Sequence, residues 1–111
     1  FTRFQVNTVD LWCVFTVGKY AFAVCNKLIH LDLGDSLVLV GESAFESCVL
    51  MEEAVVPKTL LEVRENAFAA CRELAVVGYY GTDVEFTHLE LAEGNAIFAE
   101  EAFVVYRGSA D

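Results

Sequence analysis

The chain has 111 residues, of which 56% are hydrophobic, and 17 acidic against 7 basic side chains give it a net charge of −10. This length fits one domain with one core, and a mean hydropathy of +0.46 argues against disorder. The acidity disfavours a nucleic-acid partner or an anionic membrane surface, because both require clusters of Lys and Arg. No apolar run approaches the ~20 residues that cross a bilayer, so we expect no membrane insertion.

Residues 1–16 alternate apolar and polar side chains only in part, and they precede a regular repeat. We expect them to form a degenerate first turn, or coil, of that repeat. Trp12 is expected to plug the N-terminal end of the array, with a place among outward-facing apolar residues as the alternative. No secretory signal peptide is visible in this stretch.

Residues 17–78 contain three repeats with a period of 23 residues, the third of them shorter. Each begins with a segment of the type VGKYAFAVCNKL, and the three segments, 17–28, 40–51 and 63–74, align without gaps. Five columns match in all three repeats: Val17/Val40/Val63, Ala21/Ala44/Ala67, Phe22/Phe45/Phe68, Cys25/Cys48/Cys71 and Leu28/Met51/Leu74. If successive coils stack at the strand spacing of ~4.8 Å, the three Phe side chains form one continuous file.

Within each repeat the spacing L-x-x-L-x-L, as in residues 28–33, predicts a short strand that ends at a turn residue, Gly34 or Pro57. The alternative is an amphipathic helix, because Phe45, Cys48 and Met51 also have helix-like spacing. The two turn residues recur at one column and limit the length available to a helix. We therefore expect strands, with short 3₁₀ or single-turn helical pieces at the Ala-Phe-x-x-Cys corner.

The period fails beyond residue 86, and we expect residues 79–107 to form a C-terminal cap that covers the last coil. In this segment Gly94 and Asn95 are expected in a turn, and residues 103–106 as a closing strand.

The outer side of the strands offers the best candidate binding surface, because its residues alternate with the buried leucines. The candidate ligand-binding residues are His30, Asp32, Glu53, Val55, Val76 and Gly78. They form either a contact surface for a protein or glycan or a merely solvated face. Apolar residues also fall in columns expected to face outward, which suggests self-association or docking to a longer protein: Ile29, Val38, Leu39, Val49, Leu50 and Leu61.

The sequence carries little sign of chemistry. Cys25, Cys48 and Cys71 share one column, where the Cα–Cβ bonds of neighbouring coils are parallel and suit a disulfide poorly. We therefore expect reduced, buried thiols. Cys13 lies outside this column. No Cys/His set has zinc-binding spacing, and Ser43 lacks the second Gly of a nucleophile elbow. A calcium site at the Lys19/Glu42/Glu65 column is a remote alternative, with a Lys19–Glu42 ion pair the simpler reading. We expect no catalytic residue, metal or cofactor.

The pattern V-G-x-x-A-F-x-x-C-x-x-L-x-x-L-x-L-G/P, seen at residues 17–34 and less regularly at 40–57, resembles the BspA-type leucine-rich repeat of bacterial surface proteins. The third unit departs from it at Arg64 and Gly78. The tail YYGTDVEF, followed by GN and VVY, is similar to the ending of such arrays.

The resemblance implies a leucine-rich-repeat solenoid of right-handed parallel β coils, located at the cell surface or secreted. It also implies a binding or adhesion role and no catalytic residues. Together with the outer side of the strands as the candidate surface, we expect a non-catalytic adhesion-type module that binds a protein or glycan through its strand face. A structural spacer or self-assembly unit is the alternative, and an enzyme ranks third.

Overall fold

A computed structural model describes residues 8–99 and 104–106, which contain short strands and two single-turn helices. The strands of the described residues are β1 (Thr8–Asp10), β2 (Thr16–Val17), β3 (His30–Asp32), β4 (Leu39–Val40), β5 (Glu53–Val56), β6 (Glu62–Val63), β7 (Val76–Tyr79), β8 (Glu90–Leu91) and β9 (Val104–Tyr106). The helices are α1 (Asp83–Phe86) and α2 (Ala96–Ala99).

The strands form two parallel sheets that run along the stack of coils. Odd-numbered strands make a five-stranded sheet in the order β1-β3-β5-β7-β9, and even-numbered strands make a four-stranded sheet, β2-β4-β6-β8. Each turn of the chain therefore contributes one strand to each sheet. His30 pairs with Glu53 and Leu39 with Glu62, so the register of the regular coils follows the 23-residue period. β1 departs from it by one residue, because Thr8 pairs with His30 at a spacing of 22. The predicted parallel solenoid is confirmed.

The aromatic file lies at the corner between the second sheet and the next strand of the first. Phe22 and Phe45 stack with ring centroids 5.3 Å apart, and Phe45 and Phe68 with centroids 5.2 Å apart. Both distances are close to the strand spacing, which shows that the coils lie directly above one another. The helical alternative is wrong, because residues 42–47 form turns and residues 53–56 form a strand.

The corner itself is a run of turns with a recurring backbone conformation. Two residues of each corner, four apart, have positive φ although they are not glycine: Tyr20 and Val24, Ser43 and Ser47, and Asn66 and Ala70. The amide between them bonds to the next coil, as in Phe45 N–H to Ala67 O (2.8 Å), while its neighbours bond three residues back. Successive amides of the corner thus bond alternately to the next coil and to a carbonyl of the same corner. A continuous 3₁₀ helix needs every amide to bond within the corner, so none forms there.

The C-terminal segment expected as a cap adds a strand to each sheet. β8 pairs with β6 at a spacing of 28 residues, from Glu62 to Glu90, and β9 pairs with β7 at 27, from Val77 to Val104. The extra residues accommodate α1, which carries a capping box: Thr82 accepts from Glu85 N–H, and the Glu85 side chain accepts from Thr82 N–H. Phe103 lies outside the described residues.

Asn95 joins this longer coil to the regular ones. Its Oδ1 accepts a hydrogen bond from Phe68 N–H (3.0 Å), where the preceding corners use a backbone carbonyl. Its Nδ2 donates to the carbonyls of Arg64 and Ala92. Phe98 then packs on Phe68 with centroids 5.1 Å apart and ring planes tilted by 58°. The side chain of Asn95 thus restores the corner after the period changes.

Candidate functional site

The outer positions of the first sheet hold the residues predicted as a binding face. The register pairs His30 with Glu53 and Asp32 with Val55. It continues to β7, where Val76 lies beside Glu53 and Gly78 beside Val55. The side chains are half-buried, except that Gly78 is buried and presents no side chain.

A groove of about 620 Å³ lies over one part of this face. We call it the strand-face groove, and its lining residues are Trp12, His30, Asp32, Gly34, Asp35, Glu53, Val55, Pro57, Lys58, Thr59 and Tyr80. Four of the six predicted residues therefore line one concave surface. Val76 and Gly78 are next to it in the sheet but do not line it.

Four lining residues occupy one column of the solenoid. Each of them lies two positions after a strand residue of one paired series: Asp10, Asp32, Val55 and Gly78. In chain order the four lining residues are Trp12, Gly34, Pro57 and Tyr80. Trp12 is 56% exposed and Tyr80 50% exposed, whereas Gly34 and Pro57 are buried. Two exposed aromatic side chains thus lie at the ends of the column, and two buried residues that do not project from the surface lie between them. Trp12 does not plug the end of the array, and that prediction is wrong.

Gly34 and Pro57 form the floor of the strand-face groove, and Gly is required at position 34 for two reasons. Its φ of +80° lies in the left-handed region, and a Cβ there would be 2.3 Å from the carbonyl oxygen of Leu11. Asp32 stabilises this turn, because its Oδ1 accepts a hydrogen bond from Gly34 N–H at 2.8 Å. The backbone before Trp12 therefore approaches the floor as closely as packing allows.

The groove has more carboxylates than cations. Asp32, Asp35 and Glu53 line it together with Lys58 and His30. Glu53 Oε1 lies 3.0 Å from Nδ1 of His30, which joins the outer positions of two successive strands. The groove is therefore an acidic, aromatic-walled surface.

The sequence reasoning missed six lining residues as site residues: Gly34, Asp35, Pro57, Lys58, Thr59 and Tyr80. It also placed Trp12 at the end of the array. The strand pattern marks only the alternating residues of the strands, and all of these residues follow a strand. The signal that could have found three of them is the column itself, because Gly34, Pro57 and Tyr80 align at the 23-residue period and such different residues cannot contribute to a uniform core. Trp12 joins this column only in the structure, since β1 pairs with β3 at a spacing of 22 residues.

The cysteine column stabilises the corner and has no visible chemistry. All four cysteines are free thiols, with Cys13 exposed and Cys48 buried. The Cys48 thiol donates to the carbonyl of Phe22 at 3.2 Å, and the Cys71 thiol to that of Phe45 at 3.3 Å. Burial raises the pKa of Cys48 to about 12 and that of Cys71 to about 11. Both thiols therefore stay protonated and act as hydrogen-bond donors at neutral pH.

The remaining candidate residues have structural places. Ser43 is buried in a corner turn at φ 55°. The predicted Lys19–Glu42 pair is present at 3.8 Å and exposed. In residues 8–99 and 104–106, no group of three or more His, Cys, Asp or Glu side chains is placed to hold a metal ion. In the same residues, no helix has the length and apolarity that would span a membrane.

The fold and groove define a class of protein: a parallel β-solenoid of stacked repeats, a scaffold that generally binds other molecules and does not catalyse reactions. The family profile described as the BspA type leucine-rich repeat region, with six copies, matches residues 1–85. The chain belongs to this family, which is typical of bacterial surface proteins. Residues 1–16 lie within the match although they lack the repeat columns. No curated protein and no solved structure gives a significant match.

Proposed function

We propose that this chain is a non-catalytic repeat module of the cell surface, or a secreted one, that binds a protein or glycan through its strand-face groove. The observation that carries the proposal is the groove itself, which exposed Trp12 and Tyr80 line together with Asp32 and Glu53. Exposed aromatic side chains next to polar groups are typical of binding surfaces, because they provide apolar contact area and orientation together. The family supports a location at the bacterial surface.

The test is a charge reversal at the groove. The double variant Asp35→Lys with Glu53→Lys should lose binding to an array of extracellular-matrix proteins and glycans, while its circular dichroism stays that of the parent. The matched control is Glu65→Lys with Glu73→Lys, which changes the net charge equally at exposed residues outside the groove. Equal binding by the parent and the groove variant would contradict the proposal.

A second candidate function, self-assembly, has one observation in its favour. Phe15, Val38 and Leu61 occupy one column on successive coils, and their exposed fractions are 65%, 38% and 53%. We call this column the apolar ridge. Contiguous exposed apolar residues favour association, here with a second copy of the chain. Sedimentation velocity should show a dimer or larger species that Leu61→Ser dissociates, and a monomeric parent would exclude this function.

A further inference from the structure

We infer that the strand-face groove binds an extended polypeptide segment that carries arginine or lysine and lies between Trp12 and Tyr80. The inference rests on the proposed function, since it names the class of ligand for the same groove. Three features of the groove support it: its charge, the balance of its hydrogen-bonding groups and its length.

The charge of the groove favours a cationic ligand. Asp32, Asp35 and Glu53 line it with Lys58 as the permanently charged cation among the lining residues. The whole chain adds a net charge of −10, which attracts cations and repels sulfated or sialylated glycans. A ligand with basic side chains therefore approaches this surface favourably, whereas an acidic one does not.

The hydrogen-bonding groups point the same way. An ionised carboxylate only accepts hydrogen bonds. Oδ1 of Asp32 accepts from Gly34 N–H and Oδ1 of Asp35 accepts from the Ser36 hydroxyl, so the Oδ2 atoms of both side chains remain as acceptors for a ligand. Among the lining donors, the Thr59 hydroxyl already donates to the carbonyl of Leu37 at 2.8 Å. An arginine side chain, with five donors and no acceptor, matches these carboxylates better than a neutral sugar, whose hydroxyls both donate and accept.

The length of the groove suits an extended segment. Trp12 and Tyr80 are separated by three coil spacings, which is about 14 Å at ~4.8 Å per spacing. An extended chain advances ~3.4 Å per residue, so about four residues fit between the two aromatic side chains. Gly34 and Pro57 are buried and keep the floor low along this path. A basic side chain near either end would meet an aromatic ring, which favours cations electrostatically.

The ligand class can be tested with a fluorescein-labelled peptide of sequence Gly-Arg-Gly-Arg-Gly-Gly and a twin in which citrulline replaces both arginines. Citrulline keeps the shape and removes the charge. Fluorescence anisotropy at 0.15 M NaCl should give saturable binding of the arginine peptide, with the citrulline twin at least ~10-fold weaker because the charge-assisted hydrogen bonds are lost. Equal affinity for the two peptides would overturn the inference.

Matched variants distinguish the groove from the general acidity of the chain. Asp32→Asn with Asp35→Asn should weaken the arginine peptide at least ~10-fold, since it removes two charge-assisted contacts. Glu65→Gln with Glu73→Gln changes the net charge by the same amount at exposed positions outside the groove and should weaken it less than ~2-fold at this salt. Tyr80→Ala should likewise reduce binding of the arginine peptide. Tyr20→Ala should not, because Tyr20 is an equally exposed tyrosine that lies at a corner outside the groove.

The remaining outcomes separate this inference from the proposed function. If the two double carboxylate variants lose equal affinity for the arginine peptide, the peptide is attracted by the general charge of the chain and not by the groove. That result would overturn the inference. Binding of a neutral oligosaccharide that Trp12→Ala abolishes, with no binding of the arginine peptide, would also overturn it but would leave the proposed function standing. If neither the peptide nor any molecule on the matrix-protein and glycan array binds the folded parent, both fail.

Discussion

Two columns of the solenoid show how the same stacking can serve the core or the surface. The corner column holds Phe in every regular repeat, and its rings stack 5.2 to 5.3 Å apart. The groove column holds Trp12, Gly34, Pro57 and Tyr80, four different residues in four coils. Identical residues satisfy a requirement that every coil shares, namely to fill the same interior space. Residues of different size make the surface uneven, and here they form the walls and floor of a groove.

The comparison predicts the largest loss of stability in the middle of the Phe column. Phe45→Ala should lower the free energy of unfolding by ~3 to 5 kcal/mol, because it removes a fully buried ring between two others and leaves a cavity. Phe22→Ala should cost less, since Phe22 keeps 8% exposure. Urea unfolding monitored by circular dichroism measures both. Equal, small costs would contradict a stacked core.

A glycine pair tests the floor of the groove. Gly34→Ala should cost about 2 to 4 kcal/mol, because it combines a left-handed backbone with an overlap against the carbonyl oxygen of Leu11. Gly18→Ala is the control, since its Cβ would meet nothing within 4 Å, and it should change stability by less than ~0.5 kcal/mol. If both substitutions are tolerated equally, the floor does not constrain the backbone as described.

The cysteine column predicts a dependence on alkaline pH. Cys48→Ala should cost about 1 to 2 kcal/mol at pH 7, through the lost hydrogen bond and the small cavity. Burial raises the folded pKa of Cys48 to about 12 from 9.0, so only the unfolded state ionises between these values. Its contribution to stability is therefore complete below pH 9 and is lost as the pH rises towards 12.

Unfolding curves of the parent and Cys48→Ala at several pH values should consequently converge above pH 9. Gly18→Ala is the control, because it removes no titratable group and its Cβ meets nothing within 4 Å, and its curves should run parallel to those of the parent. A constant difference between the parent and Cys48→Ala across this range would mean that the thiol ionises equally in both states.

The smallest expected effect concerns a wall of the groove. Tyr80→Ala should change the free energy of unfolding by less than ~0.5 kcal/mol, because the side chain is half exposed. Its neighbour Tyr79 is fully buried and packs edge-on against Phe86 with centroids 5.0 Å apart, so Tyr79→Ala should destabilise strongly. A large cost for Tyr80→Ala would show that the wall belongs to the core and not to the surface.

Much of the fold was predictable because the repeat carries the register. A period of 23 residues places His30 beside Glu53 and Phe22 beside Phe45, and the structure has both contacts. The last coil was not predictable in the same way. Its spacing of 27 to 28 residues hides the alignment, and the amide of Asn95 replaces a backbone carbonyl that no sequence pattern identifies.

The candidate site was predictable only in part. Alternation along a strand identified four lining residues, because outward positions follow directly from strand geometry: His30, Asp32, Glu53 and Val55. It could not identify Tyr80 or correct the placement of Trp12, since both follow a strand and their directions depend on the turn.

By itself, the sequence determined the coil length, the parallel stacking and the identity of the core, because a side chain repeated at a fixed interval can be buried only if the coils lie in register. The tertiary structure decided which surface residues meet. The groove depends on how closely the backbone of Leu11 approaches Gly34 and on how far Trp12 and Tyr80 project beyond it. Such distances arise from the packing of several coils together, and no local pattern of residues encodes them.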